Sequence, residues 1–199
     1  MHSFASGVDI MRSFFTRFLS LIVFGAAVAS QSSMSQLQRN SSHTSTLPDS
    51  IEVCVYYNSG WNMASNPVIR APGTDSIWQV FCYPTPSCFS YYFMYGGGYV
   101  VSCIAENGRG FWIRHQNPTI CCIGGEALAR DSIPVAASWN LIGTISYPVA
   151  VSSIYSIPPN IIRTPFFGFS SRYTMVDTLR PGSAYWVKVN QAGRILLSR

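Results

Sequence analysis

The chain repeats itself, and this limits its fold more than any other feature. Residues 99–112, Tyr-Val-Val-Ser-Cys-Ile-Ala-Glu-Asn-Gly-Arg-Gly-Phe-Trp, align without a gap with 173–186, Tyr-Thr-Met-Val-Asp-Thr-Leu-Arg-Pro-Gly-Ser-Ala-Tyr-Trp. Tyr99/Tyr173, Gly108/Gly182 and Trp112/Trp186 are identical, and Phe111/Tyr185, Ile113/Val187 and Arg114/Lys188 are chemical equivalents. Upstream, Trp61-Asn62-Met63 matches Trp139-Asn140-Leu141, and Asp49–Val53 matches Asp131–Val135, so that four of the five Trp residues are paired. The spacing differs at two places between these blocks, as expected when insertions fall in loops and strands keep their register. The chain must therefore build one unit twice, over 49–125 and 131–199, with a connector at 126–130.

Each unit reads as short strands separated by Gly, Pro and Asn turns, and no apolar 3.6-residue period outlasts two turns. The expected class is all-β, two tandem copies of a small sandwich or roll. Strands are expected near 51–57, 61–66, 88–95, 98–104, 110–115 and 119–123. In the second unit they are expected near 133–136, 139–145, 160–169, 172–177, 184–189 and 193–198. One short helix fits 75–81, with Asp75 as its cap. The segments 96–98 and 170–172 fit hairpin loops, and Pro181-Gly182 fits a turn before the last strand pair. With 48% hydrophobic, 14% aromatic and only 11% charged residues, the chain has the makings of a core and not of a disordered polymer.

The N-terminus reads as an export signal over residues 1–30: Arg12 and Arg17, then an apolar run from Phe18 to Ala29 closing on Ala27-Val28-Ala29. Met11 stands at its head as an alternative start. The run is shorter than the roughly 20 residues a membrane span needs, so no stable span is expected after cleavage. Residues 31–48 are polar and Ser-rich and read as a tether. The net charge of +5 comes from basic residues scattered singly, which argues against nucleic acid as a partner.

Strand alternation assigns faces. Phe111, Ile113 and His115, like Tyr185, Val187 and Val189, are expected to face the core. Trp112 and Arg114, like Trp186 and Lys188, share the other face. Either these indoles lie half-covered under the cationic stems, or they form a platform for a ligand. Trp61 and Trp139 share a face with Met63 and Leu141 and are therefore expected in the core.

These residues resemble tandem repeats of secreted Bacteroidota-type surface proteins, in which Gly-Trp-Asn and Gly-Tyr-Trp mark each copy. The matching residues are Gly60-Trp61-Asn62-Met63, Tyr83-Pro84-Thr85, Gly98-Tyr99 and Gly110-Phe111-Trp112 in the first unit. In the second they are Ser138-Trp139-Asn140-Leu141-Ile142-Gly143, Phe166-Phe167-Gly168-Phe169, Asp177-Thr178-Leu179 and Pro181-Gly182-Ser183-Ala184-Tyr185-Trp186-Val187-Lys188-Val189. Such repeats often precede a type IX secretion sorting domain, and none follows Arg199 here. The resemblance implies a module outside the cell or on its surface, or in the periplasm where no sorting domain follows. It brings no catalytic residues.

All six Cys residues lie in the first unit, and an exported chain favours disulfides. Cys82 and Cys88 flank a short loop and are the first candidate pair. Cys121 and Cys122 align with Ile195 and Leu196, so at least one of them reads equally well as a buried thiol. No Cys-x-x-Cys pair or matched His points to a metal, and no cofactor is expected. The catalytic inventory is thin: His115 stands where the second unit has Val189. The sequence thus points to a non-catalytic secreted or cell-surface module with a structural, adhesive or presentation role. The runner-up is a carbohydrate-binding module using Trp112 and Trp186 with Arg114 and Lys188. A small hydrolase comes third. A surface glycan or another surface protein is the expected partner class.

Overall fold

The protein's structure, a computed structural model, describes residues 49–84, 90–94 and 98–199, with the strand path alone for 90–94. The expected leader and tether over 1–48, Cys88 and Gly96-Gly97 lie outside these residues. The first unit runs β1 Ser50–Tyr57, β2 Gly60–Ser65, β3 Val68–Ile69, α1 Ile77–Val80, β4 Ser90–Met94, β5 Gly98–Ser102, β6 Gly110–His115 and β7 Thr119–Ala127. The second runs β8 Arg130–Val135, β9 Ser138–Ile142, β10 Val149–Ala150, β11 Tyr155–Ile157, β12 Phe166–Ser170, β13 Arg172–Val176, β14 Thr178–Leu179, β15 Tyr185–Val189 and β16 Gly193–Ser198. A 3-10 turn over Val151–Ser153 stands where the first unit has α1.

The duplication is carried by the sheets. A four-stranded sheet β2-β6-β4-β5 in the first unit matches β9-β15-β12-β13 in the second, strand for strand. Across each core lies a three-stranded sheet, β1-β7-β3 or β8-β16-β11. The last strands of these two differ. β3 pairs with β7 beside the connector, whereas β11 recruits Tyr155–Ile157 onto β16, a strand the sequence reading did not expect.

Alternation fills the space between the layers as expected. Phe111 and Ile113 of β6 meet Val53, Tyr57, Val68 and Ile123, closed by Ile77, Val80 and Phe81 of the helical corner. In the second unit Tyr185, Val187 and Val189 meet Ile133, Val135, Phe166, Ile195 and Leu197. Full burial of each large side chain contributes about 1.5–3 kcal/mol, which lets a Cys-free unit hold the same frame. α1 has only four residues, and Asp75 does not cap it. Ser76 takes the N-cap position without a capping bond, and its hydroxyl donates to Gln79 Oε1 at 2.5 Å. The carbonyl of Asp75 accepts instead from Ala105 N–H at 2.8 Å. Packing, not capping, holds the turn.

The expected Cys82–Cys88 bridge is replaced by Cys82–Cys121. Cys121 points from β7 into the core, directly under the end of α1, where Cys82 turns with φ 56° and brings its Cα to 5.7 Å. The next residue, Cys122, points outward by the strand's two-residue period and bonds Cys54, its ladder partner on β1. Cys103 is disulfide-bonded as well, and no described cysteine is free. The buried-thiol alternative therefore falls.

The two units are joined by an approximate two-fold relation. Ala64 at the end of β2 bridges Ser183, and its counterpart Ile142 at the end of β9 bridges Arg109. Ser65 N–H donates to Gly182 O and Gly143 N–H to Gly108 O, both at 2.9 Å. The repeated glycines thus have one purpose. Gly108 and Gly182 turn with φ near +75° (75° and 77°), and each lays its carbonyl on the opposite unit. At the junction Ser65 Oγ and Thr144 Oγ1 bond each other at 3.0 Å, and Ser65 Oγ donates to Ser183 O at 2.7 Å. Ser146 Oγ donates to Pro67 O at 2.7 Å and accepts from Leu128 N–H at 2.8 Å. Every hydroxyl buried there is bonded, which a dry seam requires.

Candidate ligand-binding face

Asn62 and Asn140 decide which way the indoles beside them point. Asn62 Oδ1 accepts from Asn58 N–H at 3.0 Å while its amide donates to Asn58 O and Gly60 O. Asn140 repeats this with Ala136 N–H, Ala136 O and Ser138 O. Each Asn is turned inward to hold the tight turn before its strand. The period of two then sends Trp61 and Trp139 outward. They are 47% and 40% exposed, so the expectation that these two Trp residues are core is overturned. Met63 and Leu141 do share their face and are buried, but in the cluster on the outward side of the sheets and not between the layers.

Trp112 is half-buried, and Trp186 is only 9% exposed. Both stand on the outward face of the four-stranded sheets, where Met63, Leu141, Ala184 and Trp186 form a third apolar cluster across the junction. Each unit sets an exposed indole edge-on against a covered one. Trp61 meets Trp112 with centroids at 6.4 Å and planes at 86°, and Trp139 meets Trp186 at 6.3 Å and 88°. Arg114 and Lys188 are exposed and lie across the ladder from Trp61 and Trp139.

Two hollows result, one per unit. Trp61, Tyr99, Trp112 and Phe169 line the first, of about 430 Å³. Trp139, Phe167, Tyr173 and Trp186 line the second, of about 440 Å³. Phe169 belongs to the second unit but closes the hollow of the first, packing on Trp112 at 4.9 Å and on Tyr173 at 5.4 Å. The result is one aromatic band that crosses the two-fold. Burial raises the Tyr99 hydroxyl, neighbouring Tyr173 adds to the rise, and the Trp112 indole N–H opposes it. The sequence did single out Tyr99 and Tyr173 as repeated. It matched Phe166-Phe167-Gly168-Phe169 to the repeat pattern but gave Phe167 and Phe169 no place at the site; the register of β12 on β15 sets Phe167 beside Trp186.

His115 stands elsewhere. It is 5% exposed and stacked between Tyr57 and Tyr83, at 5.2 and 5.1 Å with planes 10° and 14° apart. Burial lowers its pKa from the usual histidine range, and its Nε2 has no hydrogen-bond partner. A general base needs a proton donor within reach. This ring has tyrosine faces instead. Asp131 lies at the junction with Oδ1 accepting from Ser132 N–H at 2.7 Å and Oδ2 unpaired. Burial raises its pKa against the opposing pull of that N–H and of Arg194.

No described helix is long and apolar enough to cross a membrane. Comparison with protein-family models, curated proteins and solved structures gives no match.

Proposed function

We propose that this chain is a non-catalytic adhesion module, secreted or displayed on the cell surface, that holds its ligand on the aromatic band of the two four-stranded sheets. One observation carries the reading: the duplication preserves not only the fold but the same outward Trp-on-Trp corner and hollow in each copy. Core packing would explain buried aromatics. It does not explain why both copies leave an indole and a tyrosine in solvent, with Tyr99 and Tyr173 each 54% exposed. Contiguous exposed apolar surface of this kind marks interaction sites in folded proteins. The disulfides of the first unit suit an oxidising compartment.

The test is binding of the full chain to panels of immobilised polysaccharides and immobilised extracellular proteins. Trp61→Ala with Trp139→Ala is expected to abolish capture while near-UV circular dichroism still reports a packed interior. Ile120→Ala, on the exposed face of β7, is expected to bind like the parent. Capture that survives the double substitution would place the site elsewhere.

A further inference from the structure

The two hollows are alike in their rings but not in their rims. Beside Trp61 a second, polar hollow of about 200 Å³ adjoins the aromatic one, lined by Asn58, Ser59, Asn62, Ser170 and Ser171 and sharing Trp61 and Phe169 with it. Asn62 is spent on the turn. The side chains of Asn58, Ser59, Ser170 and Ser171 are exposed and make no hydrogen bond to the described residues. In the second unit Ala136 and Ala137 stand at the positions of Asn58 and Ser59. The repeat thus keeps the platform twice but supplies short neutral donors and acceptors at one end only. Ser170 and Ser171 come from the second unit, at the tip of the β12–β13 hairpin, where Ser171 turns with φ 64°. The polar rim exists only because the two units are docked.

We propose, resting on the adhesion reading above, that the ligand is a neutral oligosaccharide of pyranose rings with equatorial hydroxyls, whose terminal ring stacks on Trp61 and is read by Asn58, Ser59, Ser170 and Ser171. Such a ring presents C–H groups on its flat faces and hydroxyls around its edge. It needs an exposed aromatic face below and short two-way hydrogen-bonding groups at the side. Amide and hydroxyl side chains donate and accept alike, as a sugar edge requires, and no charged residue among the described ones lines the polar hollow. Small-molecule sites elsewhere have this composition, mostly apolar walls with a few placed polar groups. Further rings follow the aromatic band past Tyr99 and Tyr173 toward Trp139, where stacking continues without edge recognition. A chain of sugars therefore binds with a direction.

The experiment is titration of the full chain with cellohexaose, hexagalacturonate and a proline-rich decapeptide, read by tryptophan fluorescence and calorimetry. Cellohexaose alone is expected to saturate. Trp61→Ala should abolish the response. Asn58→Ala with Ser59→Ala should weaken it about tenfold, as the loss of two modest hydrogen bonds implies, and Trp139→Ala should weaken it less than Trp61→Ala does. Asn58→Gln, which keeps the amide, should recover part of the loss. Binding of the peptide instead of cellohexaose would overturn the sugar assignment and leave the adhesion face standing. Preference for hexagalacturonate would overturn the neutral rim. Binding of none of the three overturns the sugar assignment, and loss of panel capture as well would remove the adhesion reading with it.

Discussion

The two units hold one frame by different means. Where the second unit packs Ile195 and Leu197 from β16 into its core, the first puts Cys121 and Ile123 there and ties Cys121 to Cys82. Where the second ends β15 on buried Val189, the first ends β6 on His115 between two tyrosines. What neither copy changes is the turn Asn, the outward Trp pair and the glycine that reaches the other unit. The frame therefore depends on turns and docking, and core chemistry is exchangeable within it. The Cys82–Cys121 cross-link of the first unit stands in for the apolar volume that Ile195 supplies in the second, and Cys54–Cys122 ties the same strand from outside.

The largest effect should come from reducing that substitute. The bridges Cys54–Cys122 and Cys82–Cys121 span 68 and 39 residues, and loop-closure entropy assigns about 4 kcal/mol to each in the chain-entropy model. With all four residues replaced by Ser, amide hydrogen exchange should accelerate across β1, β6 and β7 far more than across β8, β15 and β16. Equal acceleration in both units would mean that they fold only as one and that the comparison between them is thermodynamically empty.

Next in size is the docking glycine. A Cβ on Gly182 would meet Val55 Cγ2 at 2.3 Å from a backbone with φ 77°, whereas one on Gly108 would meet the movable Asp131 Oδ2 at 3.0 Å. Gly182→Ala should destabilise by about 3 kcal/mol, overpacking and backbone strain together, and Gly108→Ala by roughly half that. Urea denaturation curves of the two variants decide it. Matching losses would show that the reach across the two-fold matters and the local packing does not.

The sequence made the frame legible wherever a residue's reason was local. Gly182 after Pro181 announced its turn, and the pairing of Tyr99–Trp112 with Tyr173–Trp186 announced two equivalent sheets. The inward run of Phe111, Ile113 and His115 followed from alternation alone. What stayed hidden depended on partners far along the chain. Cys82 chose Cys121 over its near neighbour because the end of α1 sits on β7, and no spacing rule contains that fact. Trp61 looked like core because it shares a face with Met63, and Met63 is buried on the outward side of the sheet, in the cluster across the junction. The bonds from Asn62 to Asn58 and Gly60 fix the turn that leaves Trp61 exposed beside it. The site was half legible for the same reason: its rings were repeated, but Phe169 enters from the other unit.

Acid should separate the units by a smaller margin. Burial keeps the His115 pKa below its unfolded value, so the unfolded chain binds the extra proton first. Its contribution to stability is complete above the unfolded value of about 6.5 and is lost as pH falls from there toward the folded pKa. His115→Val, the residue the second unit uses, should flatten the decline in melting temperature below that pH. An unchanged slope would shift the sensitivity to a carboxyl group, and one candidate, Asp131, would act with the opposite sign. Its raised pKa makes protonation favour the folded state as pH falls.

The smallest test exchanges one residue between the turns that present the two exposed indoles. Gly60 and Ser138 occupy the same position with φ 89° and 92°, a region glycine enters freely and serine does not. No atom lies within 4 Å of a Cβ on Gly60, so backbone strain alone separates the two. Ser138→Gly should stabilise the chain by about 1 kcal/mol and Gly60→Ser should destabilise it by a similar amount. The double exchange should leave stability where it began, since the bonds of each turn's Asn stay within its own unit and independent changes add. If both single changes destabilise, the Ser138 hydroxyl is engaged in its own turn. The turn would then be specific to each unit and not a common device for turning Trp61 and Trp139 toward solvent.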